Sequence, residues 1–581
     1  MFNKYYQDEL QFLRELGEEF SLAHPTAAHY LAGRGRDPDV ERLLEGFAFL
    51  TARVRQKLDD EFVELTHGMM SLLWPHYLRP VPSMAMLEWS PVFQALRQSQ
   101  VVPRGTEVQS VPVEGTPCRF RTCYDVVLNP LSLEEVALET RSSGLSRLRL
   151  VFKIWNQARP EALKLGSLRL HLHGDAAVSY ALYLHLSRHV GEARAGAAGD
   201  TDRAETVPVS LTPAGFDDDQ ALLPYPSGSF PGYRHLQEYF SFPEKFLFVD
   251  LKGLDRLTRL KIEDRFQVDI DFDRQLPATL RPRREEVRLY CTPIVNLFEQ
   301  DGDPIRIEHT QTEYRLRPSG KDSQHHEIHT VDRVTAYAAG AAEEREIPYF
   351  YTFKKDLARR DVRYYVTRLR NSVVDDRTDT YVTFVDPKGD SAALDSETVS
   401  FQLTCSNRRL AEALRIGDVN VSTDSSPTFA RFKNLTVPTP SVAPPLGGEL
   451  HWRLISHMSL NYLSLVSVDA LRGVLELYNY QALRDPRAAR ANALRLEGLH
   501  DVRTSPSETL ARGSLLRGSE ITLDVLEDHF ADDGDLFLFA TVLNEFLSLH
   551  ATLNSFTQLR VRGLQRGEVR SWPHRTGRDV L

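Results

Sequence analysis

The densest cluster of residues able to do chemistry is "HHEIH", in which His325, His326, Glu327 and His329 bring three imidazoles and a carboxylate together. A zinc-binding helix sets its two histidines four residues apart, so that both rings fall on one face. Here the histidines flanking Glu327 are three apart, and the alternation of "EIHTVDRV" predicts a strand on which Glu327 and His329 share a face. That is at most a partial metal site, set against the plainer reading of a solvated strand end. A metal-dependent hydrolase using His325, His326 and His329 is the catalytic alternative it leaves open. His171 and His173 also share one face of an alternating segment and read as hydrogen-bonded surface imidazoles.

Other motifs fall short of a site. "FDDDQ", Phe216 to Gln220, lacks the alternating oxygens, central glycine and distal glutamate of a calcium loop. "GRGRDP" lacks the third glycine of a dinucleotide fingerprint and the Gly-Lys-Ser/Thr of a phosphate loop, and "PSGSF" does not complete a nucleophile elbow. Cys118, Cys123, Cys291 and Cys405 are few and scattered, which fits reduced thiols better than zinc or a disulfide framework. No Ser, Cys or Thr comes with a recognisable partner set, so no catalytic residue, metal or cofactor is assigned and the chain reads as non-enzymatic.

The elements that would carry these residues form several cores, because 581 residues exceed what one ordinary core holds. The apolar fraction of 42% and charged fraction of 26% are those of a folded chain, and the net charge of −10 argues against a phosphate-tracking surface and so against nucleic acid. The amino end is amphipathic without a signal-type apolar run, and no segment approaches a membrane span, so a cytoplasmic protein without membrane insertion is expected.

Helical periodicity opens the sequence. Phe2, Tyr6, Leu10, Leu13 and Phe20 recur at helical spacing, and a second helix is predicted from Asp37 as N-cap with Pro38 first. Its stripe is Val40, Leu43, Leu44, Phe47, Leu50, Val54 and Leu58; a third helical piece runs up to Pro75. Leu10, Leu13, Val40, Leu43, Leu44, Phe47, Val54 and Leu58 are the candidate interface residues, since such wide stripes ask for a partner surface. Period-two segments follow, among them "SRLRLVFKIW", "EEVRLYCTPIVNLFEQ", "EIHTVDRVTAY" and "DTYVTFVD". The expected organisation is α+β and multidomain: a helical region 1–82, a β-rich domain 83–275 with a Gly/Ala-rich loop near 190–205, a second β-rich domain 276–440, and an α/β domain 441–581 beyond the Pro-rich stretch 437–448. In the last, Ile521, Leu523 and Val525 mark a strand and "DLFLFATVLNEFLSLHATLNSF" a helix.

Between Ser227 and Leu251 the sequence gathers rings behind a Pro-Gly turn. Pro231, Gly232, Tyr233, Arg234, Tyr239, Phe240, Phe242, Pro243 and Phe246 form this motif. Rings at that density suit a dry core or a subunit interface; a sugar or base platform would need a basic or exposed polar surround, and Glu238, Glu244 and Asp250 offset Arg234 and Lys245.

Taken in order, "YYQDELQFLRELGEEF", "DPDVERLLEGFAFLTARVRQKLDDEF", "PHYLRPVPSM", "PGYRHLQEYFSFPEKFLFVDL", "CTPIVNLF", "LTCSNR", "HWRLISHMSLNYLSL" and "FLSLHATLNSF" resemble the TssF family, also called ImpG or VasA, and span nearly the whole chain. The resemblance implies a structural subunit of the type VI secretion baseplate, similar in fold to the wedge proteins of contractile tails. It further implies a wedge with TssG, a second TssF copy, TssE and TssK around the VgrG spike, supporting the sheath at a baseplate docked on the inner membrane of a Gram-negative bacterium. A wedge protein of a phage-like contractile particle is the neighbouring alternative.

Overall fold

The computed structural model describes residues 2–23, 38–92, 95–142, 144–158, 160–199, 205–225, 231–260, 262–277, 280–307, 311–338, 344–350, 363–372, 378–385, 397–444, 446, 453, 455–456, 458, 467–511, 514–548, 551 and 555–577. Two compact units emerge: residues 1–78 with 445–454, and residues 79–444 with 455–581. The divisions expected at residues 275 and 440 do not separate units, and the chain crosses between them at Pro444 and Pro445, inside the Pro-rich stretch.

The first unit is a helix pair. Helix α1 spans Phe2–Ala23 and helix α2 spans Pro38–Leu73, with Pro38 at its first position as expected; Asp37, the proposed cap, lies outside the described residues. The second and third helical pieces merge into one, because Gly68 weakens a helix interior by only about 1 kcal/mol and no proline interrupts before Pro75. At 36 residues α2 is roughly 54 Å long. Arg14 Nη2 donates to Glu41 Oε2 at 3.0 Å and ties α1 to α2, while Arg453 Nη1 donates to Tyr77 Oη at 2.7 Å where the chain returns.

The second unit is rich in antiparallel sheet. Strand Met84–Pro91 lies one in from the edge of a six-stranded sheet, between Cys291–Val295 and the edge strand Ala430–Asn434, so segments far apart in sequence share one layer. Ser146–Ile154 alternates buried and half-exposed residues without a break, and its outer arginines pair across the sheet: Arg147 Nε with Asp271 at 2.6 Å and Arg149 Nε with Asp269 at 2.9 Å. "EEVRLYCTPIVNLFEQ" divides into Val287–Leu289, Cys291–Val295 and Phe298–Ile307, the first break falling at Tyr290, whose φ is +60°. The Gly/Ala-rich segment expected as a loop is instead, over Val190–Ala197, a strand paired on both edges. Its register sets buried Ala193 and Ala195 opposite Ile270 and Val268, so small side chains there serve packing.

Helix α3, Ala176–Arg188, is capped by Asp175, and the ring-rich segment supplies helix α4, Pro231–Ser241. Helices α5, Val468–Leu477, and α6, Pro486–Glu497, precede a long hairpin, Leu499–Ala511 with Ser514–Val525. Helix α7, Asp533–Leu547, then crosses to Ser555–Gly563, which pairs parallel to Ser514–Val525. The strand Ser514–Val525 and the helix after it are the two elements read from the sequence, although the helix stops at Leu547 and Ser555 and Phe556, expected at its end, open the parallel strand. Gly534 lets α7 approach α3, since a Cβ there would stand 2.2 Å from the Tyr180 carbonyl oxygen.

Candidate functional site

Helix α4 begins at Pro231, whose fixed φ suits a first helical turn. Tyr233, Leu236, Tyr239 and Phe240 fall on one face and are buried; Tyr233 stacks on Tyr478 at 5.5 Å and meets Phe546 at 5.6 Å, and Tyr239 meets Phe539 at 5.8 Å. Phe242, Pro243 and Phe246 belong to the single 3₁₀ turn that follows, where Phe246 packs on Phe216 at 4.8 Å. The rings are therefore placed in a core. Gly232 and Arg234 are buried with them.

The other face of α4 carries charge. Arg234 and Glu238, four residues apart, lie on it; the turn at Pro243–Phe246 then brings Lys245 back so that its Nζ donates to Glu238 Oε2 and, at 3.1 Å, to the Gln220 carbonyl. Glu238 Oε1 accepts from the backbone N–H groups of Leu222 at 2.8 Å and Leu223 at 3.3 Å, and Arg234 Nε stands 4.0 Å from it. Both Glu238 and Lys245 are fully enclosed, at 0% exposure. Burial pulls the Lys245 ammonium down while Glu238 holds it up. Tyr124 Oη donates to the Lys245 carbonyl at 3.0 Å, and Gly215, at φ +108°, leaves room for that same carbonyl: a Cβ would meet it at 2.8 Å. Asp218 accepts from Arg234 at 3.3 Å and Asp217 from Gln220 at 3.2 Å, so the acidic run builds this knot instead of holding a cation. With every oxygen of Glu238 engaged and no exposure, the pair holds structure and has no access to a substrate. Sequence reasoning missed it; the available signal was a Glu and a Lys inside an otherwise aromatic run.

The histidine cluster comes apart. His325 Nδ1 lies 2.9 Å from Thr116 Oγ1, His326 meets Phe298 edge-on at 4.9 Å, and buried His329 faces the charges of Arg79 and Arg121. Glu327 looks to Arg408, and its carboxyl is pushed up by burial to about 7. A bulge between Ile328 and Thr330 breaks the alternation that would have aligned Glu327 with His329. Among the described residues no group of three or more His, Cys, Asp or Glu could hold a metal ion. His171 is not a surface imidazole: it is buried against Phe248 at 4.5 Å, donates its Nδ1–H to the Leu247 carbonyl at 3.2 Å, and burial brings it down to about 3. The cysteines are free and buried, with Cys118 raised by burial to about 11 and Cys123 and Cys405 to about 12, which makes them poor nucleophiles.

The candidate interface stripe divides into two. Leu10 is buried, and Leu13, Val40 and Leu44 are half-buried, on the side where Ala48 and Ala52 have 0% exposure. Leu43, Phe47, Leu50 and Val54 are 73%, 60%, 64% and 60% exposed, at spacings of four, three and four along α2. At ~100° per residue this second line lies roughly 110° round the helix from the first. Phe12 and Leu16 of α1 are exposed as well, and the Leu58 side chain lies outside the described residues.

Each unit so contributes one feature: the second a closed aromatic and ionic core, the first a line of exposed apolar residues on α2. The fold of this chain is similar to a chain of the type VI secretion system TssK-TssF-TssG baseplate subcomplex solved by cryo-electron microscopy, with a TM-score of 0.79, 33% identity, and coverage of 93% of this chain and 99% of that one. A chain of the baseplate complex from the type VI secretion system is similar at a TM-score of 0.63 and 30% identity, covering 99% of each. The class is that of type VI secretion baseplate subunits. The family model described as "Type VI secretion system, TssF" matches residues 1–579, and the chain belongs to that family. The type VI secretion system component TssF1 of Pseudomonas aeruginosa is 34% identical over 627 aligned positions, which cover 99% of this chain and 98% of that protein.

Proposed function

We propose that this chain is a structural subunit of the type VI secretion baseplate that acts by shape and contact, without catalytic turnover. It builds the wedge with TssG and TssK, with TssE and a second copy of itself, around the VgrG spike, and so supports sheath assembly on the cytoplasmic side of the inner membrane. The solved relatives, one from a TssK-TssF-TssG baseplate subcomplex and one from a baseplate complex, support the TssG and TssK contacts. No helix among the described residues is long and apolar enough to cross a membrane.

The observation that carries the reading is the seam Leu43, Phe47, Leu50 and Val54. Its 4-3-4 spacing is that of a coiled-coil face, which fits a helix from TssG. Covering a large apolar side chain from full exposure is worth roughly 1.5–3 kcal/mol, so four side chains left mostly uncovered hold on the order of 5 kcal/mol of association energy, more than a thousandfold in affinity. Phe47→Asp and Val54→Lys should each abolish co-purification with TssG while leaving the helical signal of the chain unchanged. Intact complex from both variants would remove the seam from the interface.

A further inference from the structure

A second surface has the chemistry of a recognition site. Where the strand Tyr314–Arg315 meets the start of the strand Glu327–Ala338, a cavity of about 200 Å³ opens, lined among others by Arg315, Arg317, His326, Glu327, Asp379 and Arg408. At ~30 Å³ per water molecule it has room for a carboxylate side chain and its hydration. Arg315 Nη2 donates to Asp379 Oδ1 at 2.6 Å and Arg408 faces the Glu327 carboxyl, so the described lining sets three guanidinium groups against two carboxyl groups. Burial lowers the His326 imidazole from its ordinary value. Arg408 has φ +55°, a left-handed conformation rare outside glycine. The turn is fixed by its neighbour: the Asn407 N–H donates to Asn296 Oδ1 at 2.7 Å, and Asn407 Oδ1 accepts from the Arg119 N–H and from Asn296 Nδ2, each at 2.9 Å. The fold thus holds a strained backbone in place where it delivers an arginine to a basic cavity.

We propose that this cavity receives a carboxylate side chain from an acidic peptide segment of a partner protein. The guanidinium forks match a planar carboxylate, and Arg317 is exposed where an incoming chain would meet it. Glu327 supplies the third contact. Its buried carboxyl titrates near 7, so at lower pH it is neutral and donates its O–H to the incoming carboxylate. Ionised, it repels that group and turns to Arg408. Among the described lining residues the charged or titratable groups around it are Arg315, Arg317, Arg408, Asp379 and His326, and the Thr378 backbone N–H donates to the Glu327 carboxylate. The proposal rests on the reading that the chain works by contact, but it needs neither TssG nor the α2 seam.

The test uses the purified full chain and a short labelled peptide of alternating Asp and Glu, with its Asn/Gln twin as control, followed by fluorescence anisotropy at low salt. The acidic peptide should bind and the twin should not. If only the protonated site binds, the competent fraction and hence the affinity fall about tenfold between pH 6 and pH 8. Glu327→Gln should keep the binding and flatten this slope, which also separates Glu327 from His326. Arg317→Gln, at an exposed position that does not threaten folding, should weaken binding at least about fivefold, and Arg408→Gln more. Equal binding of both peptides, a parent protein without pH slope, or a Glu327→Gln variant that keeps it would overturn the proposal. Displacement of the peptide by inorganic phosphate at lower concentration than by the unlabelled peptide would also overturn it, by making the cavity a free-anion site. Failure here with TssG binding intact sinks the cavity alone, and the reverse sinks the seam alone.

Discussion

Replacing Lys245 by methionine tests whether the buried knot behaves as a unit. Methionine fills most of the same space but leaves Glu238 enclosed with two backbone N–H donors and Arg234 at 4.0 Å. Breaking one partner of a buried ion pair costs about 3–5 kcal/mol, because the remaining charge has lost its counter-ion without regaining water. Glu238→Gln should be comparably damaging, since it leaves an ammonium at 0% exposure with the Gln220 carbonyl as its one remaining partner among these groups. The double variant is expected to recover most of the loss. The Gln oxygen still accepts from Leu222 and Leu223, its amide can donate to the Gln220 carbonyl that Lys245 vacates, and no charge remains buried between them. A chain of several cores does not unfold in one step, so the appropriate readout is local: amide hydrogen exchange of residues 231–252 by mass spectrometry. Each single variant should speed exchange there by roughly a hundredfold or more, at about 1.4 kcal/mol per factor of ten, and the double by roughly tenfold. Single variants that change exchange by less than tenfold, or a double variant as bad as the two losses added, would show that Arg234 already neutralises Glu238 and that the pair is not coupled.

Two more outcomes follow from the core. Glu327 has a folded carboxyl near 7 against an ordinary 4.5, so between those values the unfolded chain binds fewer protons and stability falls as pH rises, levelling off above the upper one. Glu327→Gln removes that loss and should be locally up to about 3 kcal/mol more stable than the parent above pH 7, with no difference near pH 4; equal amide exchange of residues 327–338 in the two proteins at pH 8 would show that burial does not raise the carboxyl. Tyr239→Ala and Phe240→Ala should each lose about 3–5 kcal/mol of packing and lower soluble yield, with partner binding per folded molecule unchanged. Normal yield with lost assembly would reassign those rings to an interface.

Periodicity exposed most of the fold because it reports directly on faces. Ser146–Ile154 alternates in the structure as it does in the sequence, and Ile521, Leu523 and Val525 are all buried on their strand. What stayed hidden depends on partners distant in sequence. The strand Val190–Ala197 is rich in glycine and alanine and acquires strand character from neighbours on both edges, which no local propensity reveals. The knot is hidden for a similar reason: Glu238 and Lys245 are seven apart, yet they meet because a 3₁₀ turn, not a continued helix, follows α4. His329 looked like half of a ligand pair until the bulge beside it changed its neighbours.

The same limit explains α2. Hydrophobicity gives one broad stripe, but the fully enclosed residues in the middle of α2 are Ala48 and Ala52, which bury little area. Two helices joined over alanines gain too little to be stable by themselves, since helices in water draw most of their stability from an apolar face that something covers. The larger residues Leu43, Phe47, Leu50 and Val54 are exposed, and in the proposed interface their 4-3-4 spacing over about 16 Å, at 1.5 Å per residue, fits one long helix as occupant better than a sheet. The arrangement therefore predicts order of assembly as well as contact: α1 and α2 gain much of their stability when the partner helix arrives, whereas the second unit, with its rings and ionic knot already covered, is rigid before any partner is bound.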